Sequence, residues 1–313
     1  MRQGLLCFLL CLAAACSPEG NDAPGALRIT EAARAEAEAQ ENGPRPYVLP
    51  RTEVIPLTSG INGVEYELYV KLPDSYGESD EAYPLLVTLD ADYQFAIASN
   101  HVQHLWQRGQ APEMIIVSIG YAYDPADKES YRLNRTRDYT PARALEGGYG
   151  PEFQKVSGGG PDFAKVITNE ILPLIGERYR TDNSERVFVG HSYGGLFGAY
   201  LLLSHPEIFN RYILVSPSLW FNDKMMFAAA QNAKPFGRKT YVYMGVGSWE
   251  EQPERSYAMV SDLSAFAAAL ATHDDPNLVM ETRVFDDETH ASIYPAVLST
   301  GIRHLFLVMD RGD

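Results

Sequence analysis

The rhythm of hydrophobic and polar positions changes at about Arg51. Beyond it, Val64-Glu65-Tyr66-Glu67-Leu68-Tyr69-Val70 alternates, as a strand with one buried face does. Four later runs are short and continuously apolar: Leu85 to Leu89, Met114 to Ile119, Val187 to Val189 and Tyr212 to Val215. Strands covered on both faces read this way. Tyr241 to Val246 and Val279 to Phe285 add two more strands. Helical patterning runs near 94–107, 162–179, 194–204, 255–271 and 292–309. The first strands follow one another directly, and the later ones alternate with helices. That order predicts an α/β class protein with a mostly parallel central sheet flanked by helices. Between Tyr121 and Pro161 no period is visible, and Tyr, Arg and Gly are frequent. A stretch of that length in a compact domain is a functional loop or a misassigned element. Its place after a central strand is where substrate-facing loops sit.

The N-terminal segment follows other rules. Met1-Arg2-Gln3 precedes an apolar run from Gly4 to Ala15. That run falls short of the roughly 20 residues a spanning helix needs and suits a secretory signal. Leu12-Ala13-Ala14-Ala15-Cys16 resembles the lipobox of bacterial lipoproteins. The expectation is an exported chain lipidated at Cys16 and anchored in a bacterial outer membrane, facing the periplasm. An ordinary signal peptide that releases a soluble periplasmic protein is the alternative. Residues 17–46 contain Pro, Gly and Asn, and the Glu31 to Glu41 stretch lacks an apolar face, so they read as a tether. The folded domain is then 47–313.

Charge and cysteine count narrow the function further. A formal charge of −15 argues against nucleic acid and against an anionic membrane face. The three cysteines are Cys7, Cys11 and Cys16, so the body from residue 17 onward holds neither a disulfide nor a Cys-ligated metal. At 45% hydrophobic and 21% charged residues, the composition is that of a soluble globular protein.

The chemistry concentrates at Gly190-His191-Ser192-Tyr193-Gly194, which follows the strand Val187 to Val189 and precedes a helical run. A Gly-x-Ser-x-Gly pentapeptide in a strand–turn–helix context is a nucleophile elbow. The serine sits on a strained turn, and small neighbours let the backbone pass closely. Seven histidines compete for the role of base. His191 lies inside the elbow, His205 reads as a helix end, and His101 and His104 lack further ligand partners. His273 and His304 sit in or beside late helices. His290 alone follows the last predicted strand, so a loop can carry it to the edge where the elbow opens.

The acid of a triad belongs between serine and histidine in this chain order. The loop after Tyr241 to Val246 offers Glu250, with Glu251 and Glu254 as alternatives and Asp223 as an outside candidate; a Ser–His dyad stays open. The oxyanion hole combines the backbone N–H of Tyr193 with one from Asp90-Ala91-Asp92-Tyr93, assigned to Asp92 with Ala91 next.

These motifs resemble the esterase D-like esterase family of α/β-hydrolases. Its members include S-formylglutathione hydrolases, feruloyl and acetylxylan esterases, siderophore trilactone esterases and mycolyltransferases. The likeness covers most of residues 50–310. It rests on Tyr83-Pro84-Leu85-Leu86 leading to Leu89-Asp90, on Arg137-Asp138-Tyr139-Thr140-Pro141, on Gly158-Gly159-Gly160, on the elbow and on His290. The siderophore-esterase branch looks nearest. The resemblance implies an α/β-hydrolase fold and hydrolysis of a carboxylic ester through an acyl-enzyme, with no cofactor, metal or protein partner called for. Arg132, Arg135 and Arg137 form a basic cluster in an acidic chain, and one or more of them is expected to bind an anionic or catechol-rich acyl group. Loop-shaping pairs such as Arg137 with Asp138 are the competing reading. Trp220 and Trp249 are candidates to line an acyl pocket. An acyltransferase on the same triad and a catalytically silent binding lipoprotein remain open alternatives.

Overall fold

The computed structural model describes residues 46–122, 127–252 and 257–309. The signal, Cys16, the tether up to residue 45 and Glu254 lie outside them. Eight strands form one sheet: β1 (Thr52–Thr58), β2 (Glu65–Lys71), β3 (Tyr83–Thr88), β4 (Ile115–Tyr121), β5 (Thr181–His191), β6 (Arg211–Val215), β7 (Thr240–Gly247) and β8 (Leu278–Phe285). Their spatial order is β1-β2-β4-β3-β5-β6-β7-β8. The β1–β2 and β2–β4 pairs are antiparallel. All remaining pairs, from β4–β3 to β7–β8, are parallel. This is the α/β-hydrolase arrangement that the alternation of elements predicts.

Side chains that alternate along the strands feed two separate apolar layers. On one face Val87, Phe188 and Leu214 pack with Phe163, Leu196, Phe197 and Phe266. On the other Leu86, Val187 and Ile213 meet helix α1 (Ala91–Gln107) through Ala98 and Val102, and a C-terminal helix through Val297 and Ile302. Both faces of the central strands are therefore dry, which is why those strands carry no alternation. β1 escaped the sequence reading because it is an edge strand in which Ile55 alone is buried. It also contains Pro56, whose missing N–H an edge tolerates.

The aperiodic stretch 121–161 contains two helices, α2 (Lys128–Asp138) and α3 (Pro151–Gln154). The sequence missed α2 because its core contacts are polar: Arg135, Thr136 and Asp138 are its buried residues. Next, α4 (Gly160–Val166) runs through a π turn at Ile167–Ile171 into Leu172–Arg178. Then come α5 (Tyr193–Ser204), α6 (Phe221–Gln231), α7 (Met259–Ala271) and α8 (Ile293–Arg303). The carboxyl ends of β3, β5, β6, β7 and β8 lead into Asp90, Ser192, Ser216, Glu250 and His290 respectively. One edge of the sheet thus gathers the candidate chemistry, as open parallel sheets do.

Candidate active site

Ser192 stands between β5 and α5 at φ 60°, ψ −117°, a conformation that L-residues avoid. Three backbone contacts hold the turn: Ser192 N–H donates to Val215 O (2.9 Å), and Ser192 O accepts from Leu196 N–H (2.9 Å) and Ser218 N–H (3.1 Å). Glycine is obligatory beside it for steric reasons. A Cβ on Gly190 would lie 2.2 Å from Gly194 O, and one on Gly195 would lie 2.9 Å from Pro217 Cα. The Gly-x-Ser-x-Gly-Gly spacing is therefore the footprint of one tight strand-to-helix crossing.

His290 sits on the loop between β8 and α8, and its Nδ1 is 2.5 Å from Glu250 Oε2. The Glu250 side chain is 3% exposed and that of His290 is 43% exposed. The other carboxylate oxygen of Glu250 accepts from Ser216 Oγ (2.6 Å) and from Gly247 N–H (2.8 Å). Three donors thus converge on one buried carboxylate, and Nδ1 of His290 is committed to it. That leaves Nε2 to accept a proton. Among the described residues, Ser192 Oγ has Ser218 Oγ as its hydrogen-bond partner (3.4 Å) and makes none with His290. Such bonds in ligand-free sites commonly tighten only when substrate arrives.

The competing acids have other occupations. Glu251 accepts from the N–H groups of Val260 and Ser261 and from Ser261 Oγ, which caps α7; desolvation pushes its carboxyl up, and those bonds together outweigh it and hold the carboxyl below the usual range. Asp223 is exposed. Replacing Glu251 by alanine should cost about 1 kcal/mol of stability through the lost cap and leave kcat/KM within about twofold. Urea unfolding and ester assays on the purified variant measure both. A large fall in kcat at unchanged stability would move the acid's role to Glu251.

Ser192, Glu250 and His290 share a cavity of about 700 Å³. Six aromatic residues line it: Tyr93, Tyr131, Tyr149, Tyr193, Trp220 and Trp249. Both predicted tryptophans are thus in place, and Trp249 is 59% exposed at the wall. The sequence reading names Tyr193 for its backbone N–H alone and misses Tyr93, Tyr131 and Tyr149 as site residues. The richness of 121–161 in Tyr was the available signal for two of them. Burial pushes the Tyr193 phenol up to about 12 and raises those of Tyr93 and Tyr131 further, so all three stay neutral at physiological pH.

The basic cluster divides. Arg135 lines the cavity but is 4% exposed, and it is held in a two-point pair with Asp90: Nε to Oδ1 at 2.7 Å and Nη2 to Oδ2 at 3.0 Å. Its Nη1 donates to the Tyr149 hydroxyl and its Nη2 to His191 O (3.3 Å). Burial opposes this charge, and the Asp90 carboxylate together with the oxygens of Tyr131, Tyr149 and Tyr93 more than offsets it, so Arg135 stays protonated. Arg137 is a correction to the sequence expectation. It is not among the cavity-lining residues; it pairs two-point with the buried Asp138 (2.7 and 2.9 Å) and binds Asn134, which shapes the loop. Arg132 is exposed, stands over the rings of Tyr149 (5.6 Å) and Phe153 (5.8 Å), and is not among the cavity-lining residues.

Tyr193 is the first residue of α5, and Ala91 and Asp92 are the first two of α1, so their N–H groups have no intrahelical acceptor. Asp90, at φ 50°, makes the turn that presents this second set. The Asp92 side chain is exposed and lies off the cavity lining, whereas its neighbour Tyr93 belongs to it.

His191, set aside in the sequence reading, packs its ring against that of His290 (centroids 4.7 Å apart, 36° between planes). Its Nδ1 is 3.2 Å from Tyr93 Oη, and among the described residues its buried Nε2 has no hydrogen-bond partner. Burial first, then the His290 and Arg135 charges, holds its pKa well below the ordinary value. The unfolded chain therefore binds a proton that the native protein refuses. His191 costs no stability above about pH 6.5 and costs up to about 1.4 kcal/mol per pH unit as the pH falls below it. Comparing urea midpoints at pH 7 and pH 5.5, His191→Gln should lose less stability on acidification than wild type. Equal losses would refute the assignment.

A family model described as "Putative esterase" matches residues 59–275. The ferri-bacillibactin esterase BesA of Bacillus subtilis (strain 168) is 26% identical over 267 residues, covering 82% of this chain and 90% of its own. The siderophore triacetylfusarinine C esterase of Aspergillus fumigatus is 28% identical over 227 residues, covering 68% and 73%. Among solved structures, an IroE-like serine hydrolase from Shewanella oneidensis superposes with a TM-score of 0.71 at 28% identity, covering 82% of this chain and 80% of that one. The chain belongs to this esterase family and is a carboxylic ester hydrolase of the α/β-hydrolase fold.

Proposed function

We propose that this protein hydrolyses the ester bonds of a siderophore through an acyl-enzyme formed on Ser192. The observation that carries the reading is the buried Glu250 carboxylate bonded to His290 Nδ1 in the same aromatic cavity that holds the strained Ser192. The siderophore esterases among its relatives supply the substrate class.

His290 Nε2 takes the Ser192 proton as Oγ bonds to the ester carbonyl carbon, and the carbonyl oxygen gains the negative charge. The Tyr193 N–H and the first N–H groups of α1 stabilise that oxyanion. The ester C–O bond then breaks, and the alcohol leaves with the proton held on His290. Water next repeats the sequence: its proton goes to His290, its oxygen bonds to the acyl carbon, and Oγ recovers the proton as the acid departs. Glu250 keeps the imidazole in the Nδ1–H tautomer and stabilises its charged form.

The test is to incubate the purified chain with iron-loaded and iron-free siderophore esters and identify the fragments by mass spectrometry, beside labelling with a fluorophosphonate. Hydrolysed fragments and a single label on Ser192 are expected. A labelled enzyme that leaves every siderophore ester intact would remove the substrate assignment.

Export and lipidation belong to the same proposal. Cys16 becomes the lipid-bearing N-terminus of a periplasm-facing protein, on the strength of the Leu12-to-Cys16 lipobox. Metabolic incorporation of a tagged fatty acid should vanish in Cys16→Ala; retained label would refute the anchor.

A further inference from the structure

We infer that the cavity selects esters with no net charge on the acyl side, so that the preferred siderophore class is uncharged in its bound form and polyanionic complexes are disfavoured. This rests on the reading of the site as a siderophore-ester hydrolase and reverses the expectation that the arginine cluster captures an anion.

Among the described residues Arg135 is the guanidinium that lines the cavity, and each of its three nitrogens is engaged: Nε with Asp90, Nη2 with Asp90 and His191 O, and Nη1 with Tyr149. The pair is 4% and 0% exposed, so the Asp90 charge cancels that of Arg135 at short range. An anion that competed for Arg135 would strand a buried carboxylate, at a cost far above what one surface contact returns. Arg137 is spent on Asp138 outside the cavity. Arg132 is exposed, off the cavity lining and 5.6 Å from the centroid of the Tyr149 ring, where the high dielectric of solvent weakens its charge without removing it.

Inside remain the Glu250 carboxylate, which faces His290, and His191, which burial keeps neutral. With His290 unprotonated, the described groups lining the cavity, taken with Asp90 behind Arg135, sum to one negative charge. The whole chain adds a formal −15. Several phenols that line the wall are already hydrogen-bonded: Tyr93 Oη with Asp90 and His191, Tyr149 Oη with Arg135, and Tyr193 Oη with Gln154 Nε2. Among the described residues, what the site offers an acyl group is aromatic surface without a free counter-charge. Burying an unpaired anion there carries a desolvation penalty, and the field of the protein opposes its approach.

Among iron chelates this separates two classes. A ferric tris-hydroxamate is uncharged, whereas a ferric tris-catecholate is a trianion; an iron-free catechol ester is close to neutral. Matched p-nitrophenyl esters test the inference without iron: butyrate against hemisuccinate, at low and high salt. The neutral ester should be favoured in kcat/KM by about tenfold or more at low salt, with the gap narrowing as salt is added. In Gln252→Lys, which places a cation on the cavity lining, the hemisuccinate-to-butyrate ratio should rise several-fold and the rise should fade with salt. Among siderophores, an uncharged ferric hydroxamate ester should be cleaved faster than a ferric catecholate ester, and removing iron from the catecholate should accelerate its cleavage.

A hemisuccinate preference at low salt that declines with added salt would overturn the inference while leaving the hydrolase intact. Turnover of both simple esters with the predicted charge preference, but of no siderophore, would support the inference and defeat only the substrate assignment.

Discussion

Ser192→Ala is expected to lower kcat for every ester by on the order of 10⁴-fold or more and to abolish fluorophosphonate labelling, with KM little changed. The size of the effect follows from what the hydroxyl supplies: the Ser192 Oγ–acyl bond itself. No neighbouring group replaces it. Ser218 Oγ lies 3.4 Å from Ser192 Oγ, but it occupies no strained elbow and has no described bond to a base. The backbone N–H groups of the oxyanion hole survive the substitution, so a residue of catalysis over water persists. Stability should move by no more than about 0.5 kcal/mol, because alanine suits φ 60°, ψ −117° no better and no worse than serine. Stopped assays beside thermal unfolding report both quantities. Activity within tenfold of wild type would mean that another nucleophile performs the reaction.

Glu250→Gln should cost about 10³- to 10⁴-fold in kcat, with a smaller change in KM. One glutamate oxygen accepts from His290 while the other accepts from Ser216 Oγ and Gly247 N–H. An amide has a single acceptor end. If the glutamine oxygen serves Ser216 and Gly247, its NH₂ faces His290 and imposes the tautomer that has Nε2 protonated, which cannot take the Ser192 proton. If the oxygen turns to His290, an NH₂ is driven against two buried donors. Either outcome also removes the negative charge that stabilises the imidazolium. The comparison with Glu251→Ala makes the experiment decisive: adjacent carboxylates, one costing catalysis and the other costing a helix cap. A Glu250→Gln enzyme with near-normal kcat would reduce the machinery to a Ser192–His290 dyad.

Much of this site was legible because its requirements are local. A strained strand-to-helix turn needs small residues at fixed spacing, so Gly190, Ser192, Gly194 and Gly195 announce it. A histidine after the last strand has one route to the sheet edge, so His290 stood out from six others. Continuous apolar runs mark strands covered on both sides, which gave the parallel sheet its order. The carboxylate was harder. Glu250 and Glu251 are chemically identical neighbours, and only the three-dimensional path of the chain after β7 turns one toward His290 and the other toward α7.

The tertiary structure alone decided what the arginines do. Arg135 and Asp90 are 45 positions apart, and nothing in the local pattern of either announces the partner. Their pairing converts an apparent anion site into a neutralised wall. Arg137 beside Asp138 is the exception, a pair readable in advance and confirmed by two short bonds. The helix α2 was invisible because its buried residues are polar, with Arg135 and Asp138 held in ion pairs, rather than a stripe of apolar ones. The same holds for His191, which an elbow motif treats as a spacer and the fold stacks on His290. The sequence by itself determined the class of fold and singled out Ser192 and His290 as the candidate nucleophile and base, because backbone strain and hydrophobic periodicity are written residue by residue. Which carboxylate meets His290, the tyrosine lining and the ion pairs around the cavity were decided only by the tertiary structure, because burial and ion pairing depend on what distant segments bring to the same place.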